Sequence, residues 1–267
     1  MIKLIVTDLD GTLLNDKKEL PQNFGEILDN LKERGIAFAV ASGRSYSGVE
    51  PIFKNLAKDI YFICDNGAFT VEDSRVTDIQ LMARENVHKV FDCVKALGNV
   101  DALVCGKGGT YYSYCDERMS QKMTAFYTNT TFVEDLYAIE DDIFKISVCD
   151  FHNPLVNSFP YLQSQLCDRL SVHVSGDIWV DTMAMGVDKG LGLTRLQEKL
   201  GISKEETMAF GDFYNDLPML KNAKYAFVME NAHPEMKKHA THIAKNCNEN
   251  GVVKAIEEFV LHGDSHS

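Results

Sequence analysis

Two aspartates stand one residue apart in Val6-Thr7-Asp8-Leu9-Asp10-Gly11-Thr12, where a run from Ile2 to Val6, apolar apart from Lys3 and rich in β-branched residues, stops. Such a run reads as a buried strand of a parallel sheet. The charged pair then falls at its carboxyl end, where open α/β sheets bind ligands. Gly11 lets the backbone turn sharply there. Two carboxylates so close repel each other unless a proton or a cation neutralises them. The pair therefore suits a metal and an acid that attacks or transfers protons, with an acidic Asx-type turn as the plainer alternative. A second acidic cluster, Gly211-Asp212-Phe213-Tyr214-Asn215-Asp216, follows the strand-like Thr207 to Phe210. Oxygen ligands from the two strand ends, with water and substrate filling the rest, would complete a Mg²⁺ shell.

Other elements must bring these loops together. Phe24, Ile27, Leu28 and Leu31 fall at helical spacing between Pro21 and Gly35, and an apolar strand from Ile36 to Ala41 then ends in Ser42-Gly43-Arg44. A right-handed crossover sets that loop beside the first. Ser42 and Gly43 suit either a phosphate oxygen or a plain helix cap. A third strand, Ile60 to Cys64, ends in Asp65-Asn66-Gly67. Asn-Gly is a hairpin signal, which makes Phe69 to Ile79 a β-hairpin; Asn66 could face the site, but a turn role suffices to explain it. Lys189 opens a helix carrying Leu193, Leu196 and Leu200. The helix dipole disfavours a cation there, so Lys189 either grips an anion or is an ordinary solvated lysine. Ser203 to Glu206 reads as a capping box or a turn. Tyr225 to Met229 and Thr241 to Ala244 read as the last strands, and Val252 to Val260 as a closing helix.

Between these halves the pattern changes. Val87, Val90, Phe91, Val94 and Leu97 form one helical stripe. Strand-like runs follow at Val100 to Cys105, Thr110 to Cys115, Ile143 to Cys149, Leu170 to Val174 and Ile178 to Thr182, with helices over Glu117 to Tyr127 and Leu155 to Arg169. Strands that adjoin in hairpins indicate an antiparallel α+β module. The fold class is thus α/β: a Rossmann-like, doubly wound parallel core from residues 1–82 and 184–267, with an α+β cap inserted over 83–183.

Composition narrows the function. The chain has 267 residues, 45% of them hydrophobic, and 39 acidic against 27 basic side chains give a formal charge of −12. That balance, without a Lys/Arg run, speaks against nucleic acid, and the apolar runs are too short to span a bilayer. The first residues enter a strand with no signal-peptide layout. Seven scattered cysteines without a C-x-x-C pair read as buried thiols in a reducing cytosol, so a cytoplasmic protein is expected. The tail from His262 to Ser267 reads as frayed.

Asp8-Leu9-Asp10-Gly11-Thr12, Ser42, Lys189, and Gly211-Asp212 with Asn215-Asp216 resemble, in this order, the four motifs of the haloacid dehalogenase (HAD) superfamily of phosphohydrolases. A large cap between the second and third resembles its Cof-type branch, subfamily IIB. Lesser similarities run through Asn66-Gly67, Asn231-Ala232 and Asn248 to Gly251; Glu230 departs from the small residue common at its place. The resemblance implies a phosphatase in which Asp8 becomes an aspartyl-phosphate and Asp10 protonates the leaving alcohol, then deprotonates water. It implies Mg²⁺ on Asp8, the Asp10 carbonyl and Asp212, with Asp216 behind it. Phosphate contacts would come from Asp8, Leu9, Ser42, Gly43, Lys189 and Asn215, the last otherwise orienting Lys189. Substrate contacts would come from Arg44 and Asp181, and from His152, Asn153 and Trp179 of the cap; Arg44 reads equally as a surface residue and Trp179 as a packed one. The implied substrates are small phosphorylated metabolites, first sugar phosphates, with flavin-precursor nucleotides and pyridoxal phosphate as alternatives. A monomer or weak homo-oligomer is expected. A phosphosugar mutase and a non-catalytic phosphometabolite-binding protein are the competing functions.

Overall fold

The computed structural model describes residues 1–127 and 129–261; the tail over 262–267, expected to fray, lies outside the described residues. Its strands are β1 (Leu4–Thr7), β2 (Ala37–Ala41), β3 (Tyr61–Cys64), β4 (Phe69–Glu72), β5 (Arg75–Ile79), β6 (Asp101–Gly106), β7 (Gly109–Tyr112), β8 (Thr130–Phe132), β9 (Ile143–Cys149), β10 (Leu170–Val174), β11 (Trp179–Ala184), β12 (Thr207–Gly211), β13 (Tyr225–Met229) and β14 (His242–Ala244). The helices are α1 (Phe24–Glu33), α2 (Tyr46–Phe53), α3 (Arg84–Leu97), α4 (Glu117–Phe126), α5 (Ser158–Leu166), α6 (Lys189–Leu200), α7 (Leu217–Lys221) and α8 (Gly251–Ile256).

Two sheets form. The larger runs β14-β13-β12-β1-β2-β3-β4-β5, parallel from β14 to β3 and antiparallel at the β4 and β5 edge. Its central strands are buried on both faces, as their unbroken apolar runs require. The chain leaves β1 towards β2 on one side and returns to β12 on the other, so β1 marks the switch point where such sheets open a crevice.

The smaller sheet runs β10-β11-β9-β6-β7-β8. It is antiparallel except where β7 pairs in parallel with β8, a strand too short and exposed to stand out in the sequence. Ile146, Val148 and Val180 join a core with α3 and α5, whereas Leu103, Cys149, Trp179 and Met183 belong to another cluster containing Ala68 and Val187. The second sheet therefore faces the first across apolar contacts as well as the polar ones described below.

The hairpin β4-β5 exists, but its turn is not Asn66-Gly67. The reversal uses Asp73 and Ser74, both at positive φ, while Asp65, Asn66 and Gly67 form a tight turn at the end of β3. Five cysteines are buried as expected, but Cys115 is half-buried and Cys167 exposed.

Gly67, at φ +94, lies so close to the start of α6 that a Cβ would come 2.1 Å from the Asp188 carbonyl oxygen. Gly35 also has positive φ, but with nothing within 4 Å. Gly35→Ala should cost about 1 kcal/mol for the backbone conformation alone. Gly67→Ala should cost clearly more in urea unfolding, and equal costs would show that the turn and α6 are not locked together.

Candidate active site

The ends of β1, β2, β3 and β12 and the start of α6 meet at one point. Lys189, the first residue of α6, is buried; its Nζ donates to Asp8 Oδ1 at 2.5 Å and to Asp216 Oδ1 at 2.6 Å. The reading of Lys189 as a solvated surface lysine is thereby overturned. The dipole argument still explains its setting: two carboxylates offset what the helix terminus disfavours. Asp188 caps the helix by accepting from the Leu191 N–H.

The late acidic loop closes on the early one. Thr12 Oγ1 donates to Asp212 Oδ1 at 3.0 Å, and a Cβ on Gly11 would lie 2.6 Å from Asp212 Oδ2. Asp216 accepts the backbone N–H groups of Asp212 and Phe213 on its other oxygen. Asp8, Asp212 and Asp216 each offer an oxygen within 4.8 Å of the others. Burial and the neighbouring Asp216 push Asp212 up to about 7. Burial likewise drives Asp8 well above the usual carboxylate range, with Asp216 and Asp212 adding to it against the pull of Lys189. Lys189 is held protonated by Asp216 and Asp8 despite its burial. Three converging carboxylates with one lysine are short of positive charge, and an all-oxygen set of this kind fits a hard divalent cation such as Mg²⁺. The trio contains the expected ligands Asp8 and Asp212, while Asp216 has both oxygens engaged, one by Lys189 and the other by the Asp212 and Phe213 N–H groups.

The Asp10 side chain points elsewhere. Arg44 donates to it twice, Nε to Oδ2 at 2.6 Å and Nη2 to Oδ1 at 2.5 Å, and Lys18 adds a contact at 2.8 Å. Burial opposes ionisation of Asp10, but Arg44 and then Lys18 outweigh it and hold the carboxyl below its usual range. Arg44 is thus a largely buried residue beside the acids, not a surface one.

Ser42 is buried, and α2 starts only at Tyr46 with Ser45 at the cap position, which removes the helix-cap reading of Ser42. Its Oγ accepts the Arg44 N–H at 3.1 Å. Asn215 does not orient Lys189; its Nδ2 donates to Asn66 Oδ1 at 2.9 Å, and Asn66 Nδ2 donates to Asp181 Oδ2 at 2.5 Å. Asp181 also accepts from Ser147 Oγ at 2.6 Å. Asn66 is therefore a bridge between the sheets rather than a turn residue alone. Its left-handed φ of 53, next to Asp65 at 51, is strain of the kind that functional loops retain.

A cavity of about 290 Å³ opens above this floor. Asp8, Asp10, Lys18, Ser42, Gly43, Arg44, Asp212, Phe213 and Asn215 line it from the side of the larger sheet, and Lys122 of α4, Tyr127 after it, and Ser175 to Trp179 and Asp181 of the β10–β11 hairpin from the other. Trp179 and Tyr127 meet edge to face with centroids 6.4 Å apart. His152 and Asn153 are not among the lining residues. His152 is exposed near Asp150 and Asn153 caps a turn at the Leu155 N–H, so their expected substrate role is withdrawn.

The sequence profile of the haloacid dehalogenase-like hydrolases matches residues 5–256. The 5-amino-6-(5-phospho-D-ribitylamino)uracil phosphatase YbjI of Escherichia coli (strain K12) is 30% identical, over 98% of this chain and 97% of its own. The HMP-PP phosphatase of Klebsiella pneumoniae (strain 342) is 27% identical, over 98% and 96%. Among solved structures, SMU.1108c from Streptococcus mutans UA159 superposes with a TM-score of 0.93 at 27% identity, covering 98% of this chain and all of its own. The chain belongs to the haloacid dehalogenase-like hydrolases, as a phosphatase of their Cof-type branch. No helix among the described residues is long and apolar enough to cross a membrane.

Lys189→Met would leave Asp8 and Asp216 facing each other with no cation. With metal chelated at neutral pH, the unfolding free energy should fall by roughly 3 kcal/mol. A loss below about 1 kcal/mol, typical of an exposed pair, would mean that the ammonium does not hold these loops together.

Proposed function

We propose that this chain is a Mg²⁺-dependent phosphatase of small phosphate monoesters that works through an aspartyl-phosphate at Asp8, with a phosphorylated sugar or sugar-alcohol chain as substrate. The observation that carries this is the convergence of Asp8, Asp212 and Asp216, with Lys189 bonded to the first and the last, beneath a cavity that Asp8 and Asp212 line. Mg²⁺ held by Asp8, Asp212 and the Asp10 carbonyl, with Asp216 beside them, would offset the repulsion between a carboxylate nucleophile and a phosphate dianion. Asp8 attacks phosphorus in line as the bond to the leaving alcohol breaks. Lys189, the Ser42 hydroxyl and the N–H groups of Leu9 and Gly43 face the charge that spreads over the equatorial oxygens. Asn215 supports the site through Asn66.

Asp10, ionised beside Arg44 and Lys18, is ready as the base that takes a proton from the hydrolytic water. To protonate the alcohol first, it must exchange a cationic partner for a proton. Arg44 moving from Asp10 to substrate oxygens would do this, and would give Arg44 its substrate contact. Residues 83–183 act as the cap over a core of 1–82 and 184–267, keeping water from the transfer. Tyr127 and Trp179 offer aromatic surface, and Lys122, Ser175, Asp177 and Asp181 polar groups, to the alcohol part. That mixture suits a ribityl chain ending in a flat ring, the substrate in the name of the Escherichia coli relative.

Purified protein with Mg²⁺ should release phosphate from p-nitrophenyl phosphate and from a panel of sugar phosphates that includes the ribitylaminouracil phosphate. EDTA should stop the release. Silence across the whole panel would refute the phosphatase reading. Asp8→Asn should still bind substrate while turnover falls by more than about 10⁴-fold; undiminished turnover would take the nucleophile's role from Asp8.

A further inference from the structure

Lys145 lies in the middle of β9, in the second sheet, and is fully buried. Its ammonium crosses to the first sheet's loops, donating to the Gly43 carbonyl oxygen at 2.8 Å and pairing with Asp65 at 2.7 Å. It also sits 5.6 Å from the centroid of the Tyr127 ring. The reaction set out above makes no use of this cation. A buried ammonium is costly unless its partners replace the lost water, so a core position of this kind calls for a specific role. Asp65 in turn is held by the strained turn after β3.

The carbonyl that Lys145 grips belongs to the same peptide as the Arg44 N–H, which donates to Ser42 Oγ. The three groups form a line: ammonium, peptide, hydroxyl. A cation on the carbonyl draws electron density through the amide and strengthens its N–H as a donor. That N–H occupies a lone pair of Ser42 Oγ and so restricts where the hydroxyl proton can point. Ser42, Gly43 and Arg44 all line the cavity. The Asp65 N–H to the Arg44 carbonyl and the Asn66 N–H to the Ser42 carbonyl, both at 3.0 Å, tie the same loop to the turn that carries Asp65. Lys145 thus closes a frame whose other sides are backbone bonds.

We propose that Lys145 is a positioning residue contributed by the inserted sheet: it fixes the 43–44 peptide so that the Ser42 hydroxyl is set for the phosphoryl group. The proposal rests on the phosphatase reading for what Ser42 touches, and it makes docking of the second sheet a condition for a competent phosphate loop.

Lys145→Met should lower kcat by about tenfold, the usual effect of removing such a supporting contact, with a smaller change in KM. In a Ser42→Ala background the same substitution should cost less than about twofold, because its route to the substrate is already cut. A general packing role would lower both backgrounds by the same factor, and that result, or an unchanged kcat in the single variant, would overturn the proposal. Lys145→Met with Asp65→Asn removes both charges together and serves if the single variant does not unfold cooperatively. Amide exchange gives a readout independent of turnover: the Arg44 N–H should exchange faster in Ser42→Ala than in the wild-type protein. Equal rates would overturn the positioning contact even if no variant of Lys145 folds. A wild-type protein without phosphatase activity would instead refute the function, leaving the exchange result to judge the contact.

Discussion

One ammonium shared between two buried carboxylates holds the centre of this molecule. Asp8 leaves β1, Asp216 follows β12, and Lys189 opens α6; they are far apart in the sequence, yet Lys189 is within 2.6 Å of both acids. Like charges brought this close in a buried place must be compensated, or the loops that carry them move apart. The lysine compensates part of the charge, yet Asp212 is still pushed up to about 7 and Asp8 well above the usual carboxylate range. The same imbalance makes the place useful, since a site short of positive charge draws a divalent ion and then a phosphate.

The rest of the architecture serves close approach. Gly11 has no side chain where Asp212 comes in, and Gly67 has none where α6 begins. A parallel sheet with its switch point at β1 brings the loops after β2 and β12 to either side of Asp8. The second sheet then covers the opening, through an apolar cluster and through polar crossings that include Asn66 to Asp181 and Lys145 to Gly43 and Asp65. The two sheets are therefore joined at the loops that line the cavity.

Much of this was legible in the sequence because parallel strands announce themselves as apolar runs and the acids sit where the runs end. The spans Ile143–Cys149, Leu170–Val174 and Tyr225–Met229 agree to the residue, and the capping box at Ser203 to Glu206 is present. What was not legible depends on who meets whom across the two sheets. Asn-Gly fits a hairpin turn by local rules, and only the tertiary structure shows Asn66 spanning Asn215 and Asp181. Lys145 and Ser147 did carry a signal: two polar residues, two apart, on one face of an otherwise apolar strand, with Asp181 paired in register to Ser147. A charge inside a buried strand needs a partner, and that partner lies on the other sheet. His152 and Asn153 erred the other way, polar residues in a loop that folds onto its own backbone.

The central claim is that the buried, lysine-held carboxylate of Asp8 receives the phosphoryl group. Acid-quenching the protein during turnover of a ³²P-labelled phosphate ester, followed by proteolysis and mass spectrometry, tests it most directly. The account predicts an acid-stable, hydroxylamine-labile label on the peptide that contains Asp8. A label on any other residue, or steady turnover with no covalent label trapped on the protein, would contradict it.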